Sequence, residues 1–261
     1  MYYMGRDLGI NLIRARKNHS CYGMGLGIMI LDEVYPGFPG DLRNASGFQY
    51  PIQYEIIKNV DINKLVFGKD KSPCLQPILD AAKKLESMGC KAIAAECGYF
   101  AYFQKDVAGY VDIPVFMSSL LQVPFIQKLI GPNKSVGIVC AFQKYLTDVH
   151  LKNVGIDLNS NFVIQGAAEY GCTQFDNLWD YKKRPAVPQA YYDKAEEDMV
   201  SLCKELVEKN PNIGAIMLEC TGMQPFGRAI QREVDLPVFS WGTLLDYAYS
   251  AVNHRDYYGH V

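Results

Sequence analysis

Residues 91–116 read KAIAAECGYFAYFQKDVAGYVDIPVF, and residues 214–239 read GAIMLECTGMQPFGRAIQREVDLPVF. The two stretches align without a gap. Ala92, Ile93, Glu96, Cys97 and Phe103 recur 123 positions later as Ala215, Ile216, Glu219, Cys220 and Phe226. At the same offset Val111, Asp112, Pro114, Val115 and Phe116 become Val234, Asp235, Pro237, Val238 and Phe239. Two copies are too few for a solenoid, so the repeat points to two similar halves.

Outward from these blocks, short apolar runs of β character alternate with amphipathic stretches. The runs are LGIMIL, KLVFG, KAIAAEC and IPVFMS, then SVGIVCA, NFVIQGA, GAIMLEC and LPVFSW; helix candidates cover 75–88, 144–154 and 190–209. Strand–helix alternation of this kind predicts an α/β fold with mostly parallel sheets flanked by helices. VGIVCA echoes LGIMIL as an opening strand. The expected architecture is therefore two pseudo-symmetric domains with an active-site cleft between them. The first takes residues 1–125 plus 237–261, the last strand and helix returning to it, and the second takes 126–236.

Composition bounds the partner. The 261 residues are 49% apolar with a net charge of −2, which leaves no electrostatic footprint for nucleic acid or an anionic membrane. A small molecule is the expected partner. The N-terminal stretch has no apolar core of signal-peptide length, and no window approaches the ~20 apolar residues of a membrane span. A cytoplasmic location is expected, with a homo-oligomer, dimer or tetramer, as the commonest state. The eight cysteines contain no CxxC pair, so reduced thiols are expected. His19, His150, His254 and His260 are scattered without ligand spacing, and no metal is expected.

In an open parallel sheet, ligands bind beyond the C-terminal strand ends, which is where Cys97 and Cys220 fall. Each ends an apolar strand and precedes a turn into an expected helix, whose N–H groups and dipole favour a thiolate. A pseudo-twofold would bring the thiols to one substrate atom from opposite sides, an arrangement suited to removing a proton from carbon on one face and delivering one on the other. The pair would titrate as a unit. Backbone N–H groups after the cysteines, at Gly98, Tyr99 and Gly222, together with Thr221, Ser118 and Ser119, are candidate donors to a carboxylate becoming enediolate-like. Cys90, Cys140 and Cys203 read as small core residues. Glu96 and Glu219 should face away from the cysteines on a strand, and read as structural. Two long loops, YPGFPGDLRNASG and YGCTQFDNLWDYKKRPAVP, stand at strand ends, where sites are often built.

With these residues in view, the chain from about residue 24 resembles the aspartate/glutamate racemase superfamily. That resemblance implies two α/β domains, one cysteine from each at the cleft, and no cofactor. ECGYFAYFQ, PVFMSSLLQ and ECT are more specifically similar to the Alma-type algal dimethylsulfoniopropionate lyases, in which proton abstraction next to a carboxylate expels dimethyl sulfide and leaves acrylate. The resemblance implies Cys97 and Cys220 as the acid/base pair and the segments from Gly98 and Thr221 as carboxylate-binding backbone. Asp32 matches the first-strand aspartate of glutamate racemases. The Ser-Gly that follows it there is replaced here by a loop carrying Tyr35, Phe38, Asp41 and Arg43.

Aromatic side chains near the cysteines could hold a sulfonium; Phe103 and Phe226 read instead as packing residues. Arg43 is a candidate for pairing with a distal carboxylate. The leading expectation is a cofactor-independent racemase or isomerase acting on a small acidic amino acid or related carboxylate. The alternative is lyase-type β-elimination from dimethylsulfoniopropionate. A non-catalytic small-molecule binding protein comes third.

Overall fold

The computed structural model describes residues 14, 15, 17, 19–255 and 257. The N-terminal stretch read above for targeting lies almost wholly outside them, as does His260. Among the described residues, eight strands form two sheets: β1 Leu26–Leu31, β2 Ile52–Ile57, β3 Ala92–Ala95 and β4 Val115–Phe116, then β5 Ser135–Cys140, β6 Phe162–Gly166, β7 Ile213–Leu218 and β8 Val238–Phe239. The helices are α1 Ser72–Ser87, α2 Gln104–Ala108, α3 Val123–Ile130, α4 Asp148–Asn153, α5 Ala167–Tyr170, α6 Thr173–Trp179, α7 Tyr192–Lys209, α8 Gly227–Val234 and α9 Trp241–Val252. The sheet orders are β2-β1-β3-β4 and β6-β5-β7-β8, every pairing parallel. The expected α/β class, with two four-stranded parallel sheets flanked by helices, is what the chain forms. No helix among the described residues is long and apolar enough to cross a membrane.

The central strands are buried on both faces, which is why they read as continuous apolar runs rather than alternating ones. Met29, Leu31, Ile93 and Ala95 join Ile78, Leu85 and the main core, while Leu26, Ile28, Ala92 and Ala94 form a second cluster with Trp241, Leu244, Leu245 and Ala248 of α9. Gly27 has no side chain because α1 approaches so closely: a Cβ there would stand 3.0 Å from Leu85. Pro73 in the first turn of α1 supplies a pre-set φ, and the helix begins at Ser72, three residues before the expected start.

Two expectations are corrected. KLVFG is not a strand: Asn63–Phe67 is a π-helical turn, started where Asp61 Oδ1 accepts the Lys64 N–H at 3.0 Å. The edge strand comes instead from Ile52–Ile57, half-buried and hence weakly patterned. The last strand also does not return to the first half, since β8 pairs with β7. Only α9 crosses back. Its counterpart α3, from the first half, packs on β5 and β7, so each half lends a helix to the other's sheet.

Trp241 ties this exchange to the cysteine turns. Its ring is wholly buried and its Nε1–H donates to the Glu219 carbonyl at 2.8 Å. Ser119 Oγ donates to the carbonyls of Leu218 and Glu219 at 3.0 and 3.1 Å. Trp241→Ala is expected to cost about 3–5 kcal/mol of unfolding free energy in urea titrations.

Candidate active site

Both sheets switch direction of winding at their two central strands, and at such a point the carboxyl ends open a crevice. Cys97 stands just past β3 and Cys220 just past β7, each in extended backbone, with φ, ψ of −125°, 128° and −86°, 139°. Each is followed by a six-residue 3₁₀ turn, Gly98–Phe103 and Thr221–Phe226, closed by Phe100 N–H to Cys97 O at 3.0 Å and Met223 N–H to Cys220 O at 3.1 Å. The expected helix start is thus a 3₁₀ turn, with a smaller dipole. The two half-buried thiols open into one cavity of about 30 Å³. Leu31, Glu33, Tyr35, Ile62, Val66, Glu96 and Tyr99 from the first half line it with Ala141, Phe142, Trp179 and Thr221 from the second. That volume holds about one or two waters.

No family model matches the chain. Among curated proteins it is 28% identical over 218 residues to the dimethylsulfoniopropionate lyase of Durusdinium sp. clade D, covering 82% of this chain and 70% of that one. It is 29% identical over 227 residues to dimethylsulfoniopropionate lyase 7 of Emiliania huxleyi, covering 84% of this chain and 64% of that one. The chain therefore spans about two thirds of the length of these relatives. Among solved structures, unliganded arylmalonate decarboxylase superposes with a TM-score of 0.52 at 12% identity, over 91% of this chain and 96% of that one. Aspartate racemase of Picrophilus torridus superposes with a TM-score of 0.52 at 17% identity, over 87% and 93%. The chain shares the fold of these two structures.

Within that fold, the surroundings of the thiols run against the sequence expectation of a readily formed thiolate. Burial is the main effect and pushes both thiols well above their ordinary value. Glu219 pushes both further, and Cys97 adds to the shift at Cys220. The N–H groups of Tyr99 and Gly222 work in the opposite direction, as expected, but do not offset burial.

The duplicated carboxyls have diverged. Glu96 accepts from Leu31 N–H at 2.6 Å and pairs with Arg43, whose Nη2 is 2.7 Å and Nε 2.5 Å away. Burial still raises it to about 7, against the pull of Arg43. Arg43 in turn donates to the carbonyls of Leu31 and Glu33 and lies 4.4 Å over the Tyr35 ring. Glu219 is fully buried with no ion-pair partner among the described residues, and burial raises it to about 8, opposed by the Ala141 N–H.

Of the residues picked from sequence, the structure gathers Cys97, Cys220, Tyr99, Thr221 and Tyr35 around the cavity. Gly98 and Gly222 flank the cysteines but lie beneath other side chains: a Cβ on Gly98 would stand 2.0 Å from Glu219 Oε1, and one on Gly222 2.6 Å from the Trp179 ring. Ser118 caps the Leu120 N–H and Ser119 holds carbonyls, so neither lines the cavity. Asp32 accepts from Asn59 N–H, away from the cavity, and Arg43 is taken up by Glu96.

Sequence reading passed over Glu33 and Phe142, whereas Trp179, one of the loop aromatics it weighed for a cation, does line the cavity. Glu33 adjoins the chosen Asp32, so one residue of alternation decided between them. Phe142 follows β5 and is locked by Tyr99, whose hydroxyl donates to its carbonyl at 2.7 Å and accepts from its N–H at 2.8 Å.

The Glu219 shift has a stability consequence with a definite sign. Its folded value, about 8, lies above its ordinary 4.5, so its contribution is full below pH 4.5 and is lost as pH rises through 8. In thermal melts, the Tm of Glu219→Gln minus that of the wild type is expected to grow across this interval and then level off.

Proposed function

We propose that the chain catalyses β-elimination from a sulfonium-bearing propionate, dimethylsulfoniopropionate, with Cys97 and Cys220 as its proton-transfer pair. The observation that carries this reading is the shared cavity, in which two thiols meet walls of aromatic and acidic side chains: Tyr35, Tyr99, Phe142 and Trp179 with Glu33 and Glu96. Aromatic faces and carboxylates attract a cation. Glu33 is itself held by Ile62 N–H and lies 3.5 Å from Arg184. The names of the sequence relatives support the same substrate.

The electrostatics favour a cation for a further reason. In this narrow cavity burial favours the protonated form of both thiols. A sulfonium placed against them lowers the cost of a thiolate, so substrate binding favours loss of one thiol proton to water and leaves a thiolate as the base. The thiolate then takes the proton next to the substrate carboxylate, while that carboxylate lies on the N–H groups at the start of the two 3₁₀ turns and on Thr221. As the C–H pair moves into the new double bond, the carbon–sulfur pair leaves with neutral dimethyl sulfide, and acrylate remains.

The symmetry of the thiols also suits racemisation of an acidic amino acid. A second substrate carboxylate, however, would enter a space already walled by Glu33 and Glu96, with Glu219 behind it, and Arg43 is already committed to Glu96. Elimination is therefore the better fit.

The loop 33–44 reaches across to the second half, where Phe38 packs edge-on against Phe226 and Tyr192 at 5.7 and 5.4 Å.

Incubation of the reduced protein in D₂O with dimethylsulfoniopropionate and with each enantiomer of aspartate and glutamate separates the readings by NMR. Acrylate from the sulfonium without α-deuteration of the amino acids is expected; deuterated amino acids and no acrylate would reverse the assignment. Cys97→Ser and Cys220→Ser should each lower kcat/KM about 100-fold or more, and full activity in both would end the paired-thiol account. A quaternary-ammonium propionate should inhibit competitively where propionate alone does not; equal inhibition by both would remove the cation-binding role of the walls.

A further inference from the structure

The two carboxyls that line the cavity are not equally engaged. Arg43 grips Glu96 through Nη2 at 2.7 Å and Nε at 2.5 Å, and the same guanidinium is tied to the carbonyls of Glu33 and Leu31 at 2.7 and 2.8 Å. Short charge-assisted contacts on several sides make that pair structural. Glu33 is held differently. Its side chain is 1% exposed, so its charge needs a partner. Oε1 accepts the Ile62 N–H, but the cation at Oε2 is Arg184, whose Nη1 stands 3.5 Å away. No other cation lies within ion-pair distance of this carboxylate among the described residues.

Arg184 is loosely engaged in return. Its second contact, to the Leu178 carbonyl, uses the same Nη1 at 3.4 Å, and both exceed the ~2.7–2.9 Å of a charge-assisted bond. Its flat face lies on Tyr181, with Cζ 3.6 Å from the ring centroid. The backbone is anchored separately, since Arg184 N–H donates to Asp180 O at 2.7 Å, and the adjacent Lys183 is engaged by Asp176 at 2.7 Å. The guanidinium can therefore leave Glu33 by rotating its own side chain.

A buried carboxylate beside aromatic faces suits a cation that has no N–H groups to satisfy. A guanidinium uses such a corner poorly, because its several donors need acceptors, whereas a sulfonium is served in full by charge and ring contact. We propose that Glu33 selects the cationic group of the substrate and that Arg184 is its resting counter-ion, exchanged for the sulfonium on binding. One cation replaces another, so the carboxylate is never buried unpaired. The exchange also serves the base. Glu33 opposes a thiolate at Cys97, and Arg184 does not line the cavity, so the sulfonium brings positive charge to the side of Glu33 on which Cys97 stands. Glu33 thus binds substrate, while Arg184 acts through Glu33 as a positioning residue. The choice of a sulfonium as the cation rests on the elimination reading.

The test uses the full chain and two probes of one shape, β-trimethylammonio-propionate and its neutral tert-butyl isostere, with binding read by calorimetry beside steady-state acrylate formation. Wild type is expected to prefer the cationic probe at least ~10-fold. Glu33→Gln keeps an acceptor for the Ile62 N–H and should erase the preference by weakening the cationic probe alone. Arg184→Gln removes the competing cation; it should tighten the cationic probe and lower KM for dimethylsulfoniopropionate about 3-fold or more, with kcat changed less. Arg184→Lys should return both toward wild type. A preference that survives Glu33→Gln, or a cationic probe bound more weakly by Arg184→Gln than by wild type, overturns the proposal. Should Glu33→Gln bind neither probe, its pocket is lost and the two Arg184 variants decide in either direction. Probe binding needs no turnover, so the two readings fail separately. Wild type that makes no acrylate yet prefers the cation ends the elimination reading and leaves the exchange standing, whereas acrylate without that preference ends the exchange alone.

Discussion

Desolvation governs this molecule's site. Two thiols and three carboxyls are brought to the facing ends of two parallel sheets, where water is nearly excluded, and a charge there is costly unless it is paired. The first half meets the demand with Arg43, which neutralises Glu96 and at the same time pins the loop after β1 through the carbonyls of Leu31 and Glu33. The second half carries the same glutamate without the cation, so Glu219 meets the demand by keeping its proton. The thiols follow the same rule. Burial pushes both toward the protonated form, and under the proposed elimination a positive ligand would favour the thiolate. Asymmetry between two copies of one design is thus what turns a duplicated scaffold into a site with distinct roles.

The scaffold that holds this arrangement is interlocked. Because α3 lies on the second sheet and α9 on the first, the halves cannot separate without exposing core. Trp241 and Ser119 fix the backbone carbonyls just ahead of Cys220, and Tyr99 fixes the chain after β5. The cysteine turns therefore sit on a rigid frame, while the covering loops are held by aromatic edges and a long Arg184–Glu33 pair. A rigid frame under separable covers suits an enzyme that must exclude water during proton transfer and still admit a substrate larger than its resting cavity.

Much of this was legible in the sequence, and for identifiable reasons. The 123-residue offset located both strand ends, and parallel-sheet topology then placed Cys97 and Cys220 at the crevice. Strand alternation placed Glu96 away from the cysteines, yet β3 ends at Ala95 and Glu96 lines the cavity beside Cys97 while pairing with Arg43. KLVFG misled because a short apolar run carries no period of its own, and only tertiary packing made it a π turn. Ser118, Ser119, Asp32 and Arg43 were chosen as polar residues near strand ends, but each has a backbone or carboxylate partner that only the folded chain reveals. The state of the thiols was misjudged for a related reason: sequence shows the turn that offers N–H groups, not the depth at which the sulfur is buried. Glu219 was read as structural like its duplicate, and sequence could not show that it lacks a counterpart to Arg43 or that it lies against Gly98 of the other half.

The central claim is that both sulfurs open into one small cavity, and site-resolved alkylation tests it most directly. With iodoacetamide in excess and intact chains sequenced by mass spectrometry, a first adduct fills a space of about 30 Å³. Modification of Cys97 and of Cys220 should therefore be mutually exclusive, each chain carrying one or the other. Chains modified at both cysteines at independent rates would contradict the account.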